Sequence, residues 1–534
     1  MLKQISVWAL MCLTAPAMSA QNHVEDPDSI ESSISPQLLD EIVVKASPVI
    51  NKLDRKVVRP NSEAIRTSVD GLDLLRKLQL PGITVNPMTN AVTVFGGEEV
   101  LLCINGVEST SSQISAIPPA DILRVEYHDN PGIRYSGYKA VIDFITRRHD
   151  SGGNVMLDAM GCFASGRYAS FGNAAAQYNR RRSVWNVNVD FMAQHKNNWV
   201  RDYTETWRYP TGDVTRTEQG LPVKVGVTDV AAILDYDYLQ TNGNILNVKF
   251  GMGFDHVPNQ EEGDRLAILT TSTSNDSILV REHTSQRTLM PSIGLYYKAG
   301  KFSFEGIGSY MRTNMEHEYA EDDNVMSNNV NGDKYTARFK GMYENRNGSR
   351  VWSLGLMNNS SWTSNNYVTE AVKVAVNQSE TALAGEYSNR FANWGVMASA
   401  RGAYRHLSLK NRSIDKFFLL PSLGVSYKPA SAIFLRYNAA MDYRMPSASE
   451  VTEVTQIIQT DMVRRGNSSL KPFRVIDQTF TAGFESKYFD AEARFNYRNE
   501  HNPIMESVIF EDKTFVRTFF NQRSFQELSA GVSL

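Results

Sequence analysis

The stretch Leu246-Asn247-Val248-Lys249-Phe250-Gly251-Met252-Gly253-Phe254 decides the fold. Every second residue is apolar, and Asn247, Lys249, Gly251 and Gly253 stand between. A period of two belongs to a β-strand whose two faces meet different surroundings. The pattern recurs along the chain. Trp185, Val187, Val189 and Phe191 alternate with Asn186, Asn188 and Asp190. Tyr335, Ala337, Phe339, Gly341 and Tyr343 alternate with Thr336, Arg338, Lys340 and Met342. Ala491, Ala493, Phe495 and Tyr497 alternate with Glu492, Arg494, Asn496 and Arg498. A soluble sandwich would bury the apolar face under a second sheet. A membrane barrel would show it to lipid and turn the polar face to the lumen.

The barrel is favoured. The alternating runs approach the ~9–11 residues that cross a tilted bilayer. Short turns such as Lys298-Ala299-Gly300-Lys301 and Lys428-Pro429-Ala430-Ser431 alternate with long polar stretches read as loops, 313–333 and 440–475. Aromatics stand at strand ends, as at Tyr296, Tyr310, Tyr343, Tyr427 and Tyr437, where an interfacial girdle needs them. Residues 153–534 are expected to form roughly 16–20 strands of a transmembrane antiparallel β-barrel. A lumen that wide stays open unless something fills it.

Composition agrees. With 534 residues, 42% hydrophobic and 21% charged, the chain is neither a small domain nor disordered throughout. A net charge of −3 gives no field for nucleic acid. Mean hydropathy is −0.34, and past residue 20 no apolar run reaches the length of a membrane helix. Alternating strands average out as polar, so this does not argue against a barrel.

The N-terminus reads as an export signal over residues 1–20. Lys3 supplies the charge, Ile5 to Leu13 the apolar core, and Ala15 to Ala20 the small residues for cleavage. Only Cys103 and Cys162 then remain, too few for a disulfide framework. Residues 21–65 read as a flexible linker. Within it stands Leu39-Asp40-Glu41-Ile42-Val43-Val44. This run is either the first strand of the next domain or an extended peptide that adds to a partner's sheet edge.

Residues 66–148 read as a compact α/β domain. Ser68 or Asp70 caps a helix with Leu72, Leu75 and Leu78 on its apolar face, and Pro81-Gly82 stops it. Short strands follow at 83–85, 92–95, 100–104, 122–127 and 141–146, with the turn Asn105-Gly106 after the third.

In this order the parts resemble a TonB-dependent outer-membrane receptor. The domain at 66–148 resembles the plug of that family, through Leu80-Pro81-Gly82-Ile83-Thr84-Val85, Val100 to Val107, and Pro131 to Gly137 followed by Ala140 to Thr146. Arg444 to Glu450 and Gly466 to Pro472 resemble two loop motifs of its barrel. Asn105 and Asp143 stand where the family often has Asp and Asn, and Phe473 where an acid is usual. The resemblance implies an N-terminal α/β plug in the barrel lumen and the outer membrane of a Gram-negative bacterium. It also implies that Leu39, Asp40, Glu41, Ile42, Val43 and Val44 form a TonB box that pairs as a strand with the TonB protein. The partners implied are TonB, outer-membrane lipid and an extracellular small or oligomeric ligand, with a surface lipoprotein among the candidates.

The function implied is energised import of a scarce compound: an iron chelate, vitamin, glycan or peptide. The alternative is a non-transporting receptor or structural barrel that binds a partner or signals. No nucleophile, acid and base assemble, so no enzyme and no cofactor is expected. Glu316-His317-Glu318 and Glu321-Asp322-Asp323 read as a solvated acidic loop rather than a metal site. Arg180-Arg181-Arg182 reads as a turn. Trp199, Trp207 and Tyr209 read as girdle residues before sugar platforms. The last ten residues, Phe525 to Leu534, read as a strand broken off mid-pattern, and the barrel is expected to be incomplete at the C-terminus.

Overall fold

The computed structural model describes residues 49–533 except 52–54, 88–89, 95–99, 130, 136–137, 201, 241–242, 260–262, 272–274, 410–411, 431 and 487–488. It has two layers of organisation, a small α/β domain and a large antiparallel barrel around it.

The small domain starts inside the stretch read as linker. Its sheet runs in the order Val49–Asn51, Lys56–Val58, Ile122–His128, Val141–Thr146, Leu101–Ile104, Val107–Glu108. Lys56–Val58 is a single short strand with no alternation to read, and only its pairing with Ile122–His128 makes it part of the sheet. The helix Gly71–Lys77 forms as expected, with the Asp70 side chain accepting from the Asp73 N–H. A second helix, Ser111–Ser115, carries a capping box between Thr110 and Gln113. Phe144, Ile142, Val125, Leu74, Leu75 and Ile114 fill the centre. This core is built from plug residues alone.

The barrel sheet follows the expected alternation. Trp185, Val187 and Phe191 stand exposed on its outside while Asn188 is buried on the inside. Strands Tyr203–Tyr209 and Gly212–Gly220 form a hairpin beyond the direct pairing of Ser183–Trp199 with Val223–Leu239. Gly263–Thr270 continues Ile245–Asn259 along the same neighbour, Asn275–Ala299. Among the described residues the barrel sheet has nineteen strands, and sixteen are thus separate staves of the wall. Outward aromatic pairs gather near the short turns: Trp185–Tyr236, Trp352–Tyr387 and Trp394–Tyr427, with ring centroids 4.3–4.4 Å apart. On Arg350–Tyr367, Trp352 and Trp362 both face outward. Ten residues at ~3.3 Å each span about 33 Å of strand, or about 25 Å of height at a tilt of ~40°. That is the height of a lipid-facing band.

One expectation changes. The stretch 313–333 is not a loop, since Phe302–Glu321 and Asn324–Asn347 form one hairpin turning at Asp322 and Asp323. The strand order is that of a closed barrel, with Ser524–Ser533 next to Ser151–Ala164. Among the described residues no register is defined across that seam, unlike the other stave junctions. Val155, Leu157, Phe163, Leu528 and Val532 beside it are 72–79% exposed, more than the other large apolar side chains described on the wall.

Candidate functional site

The lumen is where charge collects. Strands that need an apolar outside have every other position free for polar residues, and the plug meets these. Asp129, at the end of the plug strand Ile122–His128, forms a buried ion pair with Arg436 of the wall. Arg494 lies 4.0 Å from the same carboxylate and donates to the Tyr127 hydroxyl at 3.4 Å. Lys56 of the plug reaches Glu492 at 3.1 Å, and Lys139 reaches Asp477 at 2.7 Å. Burial alone would push the Asp129 carboxyl up, but Arg436 and Arg494 hold it below its usual value.

A second group holds the other side of the plug. Lys249 donates to the Glu108 carbonyl at 2.8 Å, and Arg338 lies 3.9 Å from the Glu108 carboxylate. Burial pushes the Glu108 carboxyl up to about 7. Glu386 accepts from the Ile133 backbone N–H at 2.8 Å. Gly132, at φ +65°, lies against the same carboxylate, and a β-carbon there would collide with it. Lys340 donates to the Arg134 carbonyl. In the turn after Leu101–Ile104 the two departures from the family pattern work together. Asp143 accepts from the Gly106 N–H at 2.8 Å, and the Asn105 amide bonds Thr146 through both its atoms.

Above the plug, at the end away from the short turns, long hairpins pack on one another. Trp207 meets Phe515 edge-on with centroids 5.0 Å apart. Tyr209 donates to Asp461 at 2.9 Å. Trp207 and Tyr209 therefore sit in a cluster between hairpins, not in the girdle. Arg216 bonds Glu218 and Glu321 at 2.7 Å each, and Arg265 bonds Glu282 at 2.9 Å. The two loop motifs knit together: the Gly466 N–H donates to the Thr452 carbonyl and the Asn467 N–H to the Glu450 carbonyl, at 2.9 and 2.6 Å.

Leu39 to Val44 lie outside the described residues, as does the Trp199 side chain. Glu316 and Glu318 lie on a strand, and among the described residues no cluster fit to hold a metal forms. Arg181 takes a positive φ in the tight turn between Arg167–Arg180 and Ser183–Trp199. Sequence reading named none of the plug-to-wall pairs. Its one available signal was the charged residue inside an alternating strand, as at Arg494, which marks a lumen-facing position but no partner.

An α/β domain clamped by ion pairs inside a large antiparallel barrel is the architecture of a plugged outer-membrane receptor. The chain has, more particularly, the fold of the TonB-dependent receptors. It is similar to the siderophore receptor PirA of Pseudomonas aeruginosa, with 13% identity and a TM-score of 0.53 over 91% of this chain and 82% of that one. It is similar to a variant of the ferric enterobactin receptor PfeA of the same organism, in complex with enterobactin, with 12% identity and a TM-score of 0.56 over 90% and 78%. The FrpB iron transporter of Neisseria meningitidis aligns at 12% identity and a TM-score of 0.53 over 90% and 76%. No family model and no curated protein matches the chain.

Proposed function

We propose that this chain is an outer-membrane receptor of a Gram-negative bacterium that imports a scarce external compound, driven through TonB. The observation that carries this reading is the way the plug is held. Its hydrophobic core is its own, while its contacts with the wall run through ion pairs and hydrogen bonds such as Asp129–Arg436, Lys56–Glu492 and Ile133–Glu386. Such contacts exchange for water when the plug shifts, whereas a shared apolar core would have to be torn open. Packed hairpins over the mouth give a ligand a place to bind above the plug. An iron chelate leads the candidates, since the similar solved structures are named as siderophore and iron receptors. Vitamin, glycan and peptide ligands follow.

In this reading Leu39, Asp40, Glu41, Ile42, Val43 and Val44 are the strand that pairs with TonB. Proline at Val43 removes a backbone donor that strand pairing needs. Val43→Pro should abolish energised uptake and leave ligand binding at the cell surface intact. Normal uptake by the variant would overturn the assignment. Surface binding with no energised uptake in the parent protein would instead favour a non-transporting receptor.

A further inference from the structure

The wall registers assemble a row of acceptors that the sequence scatters over a hundred residues. Asn173 stands directly across from Asp158 on one neighbouring stave and from Asp190 on the other. Asp190 faces Ala231 on the next stave, where Asp229, two residues away, faces Asp255. Leu157, Phe191 and Val230, of opposite phase on these strands, are exposed on the outside, so the row faces the lumen. Among the described residues Asp158, Asp190 and Asp229 form no ion pair. Asp190 takes a hydrogen bond from Asn173 at 2.8 Å. Asp255, 5% exposed, meets Gln286 at 3.5 Å.

Asn173 supplies an independent sign of a missing partner. It is 9% exposed. Its Nδ2 donates to Asp190 at 2.8 Å, which fixes the orientation of the amide. Its Oδ1 is then an orphaned acceptor. A buried acceptor left unmade is costly, and here it stands among carboxylates. A cavity of about 480 Å³ opens against Asp158, Asn173, Asp190 and Asp229. Its volume lies in the range of small-molecule sites. Leu72 of the plug and Met160, Phe171 and Met192 of the wall give it an apolar side. Arg76 is the cation on the lining, and Asp73 holds it.

We infer that this row is a binding site for an organic cation, an ammonium or guanidinium group carried on an apolar body. The orphaned Asn173 Oδ1 is an acceptor, so the occupant donates. The carboxylates favour positive charge, and the apolar side takes the rest of the molecule. A bare metal ion fits poorly, because these groups do not converge as coordination requires. That the cation is cargo in transit beside the plug rests on the import reading. The site itself does not.

The test uses the full chain in detergent and needs no uptake assay. Cys162→Ser removes the exposed thiol and buried Cys103 stays. Ala231→Cys, a small change on the lining, then reports access. Its modification by trimethylammonium-ethyl methanethiosulfonate is compared with that by the anionic sulfonatoethyl reagent, each relative to a free thiol. We expect the cationic reagent to be about tenfold faster. Benzyltrimethylammonium should slow it and benzenesulfonate should not. Asp190→Asn with Asp229→Asn should bring the ratio to about one. A parent ratio at or below one, a ratio indifferent to neutralisation, or no reaction with either reagent would each overturn the proposal.

Discussion

Asp129 of the plug and Arg436 of the wall, 307 positions apart in the chain, close on each other as a buried ion pair. Arg494 stands beside them, 4.0 Å from Asp129 and 3.5 Å from Glu492. Removing the acid breaks the buried pair with Arg436, and breaking a buried ion pair by removing one partner typically costs about 3–5 kcal/mol.

Asp129→Ala should therefore loosen plug docking by roughly that amount. The measurement is the urea concentration at which the protein, reconstituted in a planar bilayer, becomes conductive. It should fall clearly below the parent's, and an unchanged midpoint would show that the pair does not hold the plug. The carboxyl is held low in the docked state. Its contribution is thus full above the ordinary Asp range and is lost as pH falls through the depressed value.

Glu108 behaves with the opposite sign. Burial raises its pKa from 4.5 to about 7, so the folded plug binds a proton more tightly than the unfolded chain does. Stability from this group is present at low pH and falls as pH rises from 4.5 through about 7, by on the order of 3 kcal/mol. Glu108→Gln should flatten that part of the profile. Hydrogen exchange of the strand Leu101–Ile104 at pH 5.5 and 8 would read it, and a slope unaltered in the variant would refute the assignment.

Val187 faces outward in the middle of the stave Ser183–Trp199. Arginine there should cost about 2–4 kcal/mol if the position meets the bilayer midplane. Val187→Arg should reduce the heat-modifiable, folded fraction in outer membranes, while Asn188→Ser, facing the lumen, should not. Equal assembly of Val187→Arg and parent would reverse the assigned faces.

Trp207 ties the hairpin 203–220 to Phe515 of another hairpin. An edge-to-face pair adds about 0.5–1.5 kcal/mol beyond the area it buries. Trp207→Ala should speed limited proteolysis at 200–222 and leave the barrel intact. Cleavage at the parental rate would mean that the Trp207–Phe515 contact does not hold the hairpin.

The alternation of Trp185 to Phe191 or Leu246 to Phe254 determined the strands and which side of each faces lipid, because side chains on a strand must alternate. Local chemistry determined the plug helix and its stop, through the Asp70 cap and Pro81-Gly82. Lys56–Val58, read as linker, became sheet only by pairing with Ile122–His128, a contact that no local pattern carries. Period two says that Asp158, Asn173 and Asp190 face the lumen, but not that they stand at one height. Height depends on register, which the turns and the whole closed sheet set together. The same holds for Asp129 and Arg436: the sequence supplied two charges on polar faces, and only the seating of one domain inside the other made them a pair, because a buried charge must find its counter-charge wherever the fold brings one.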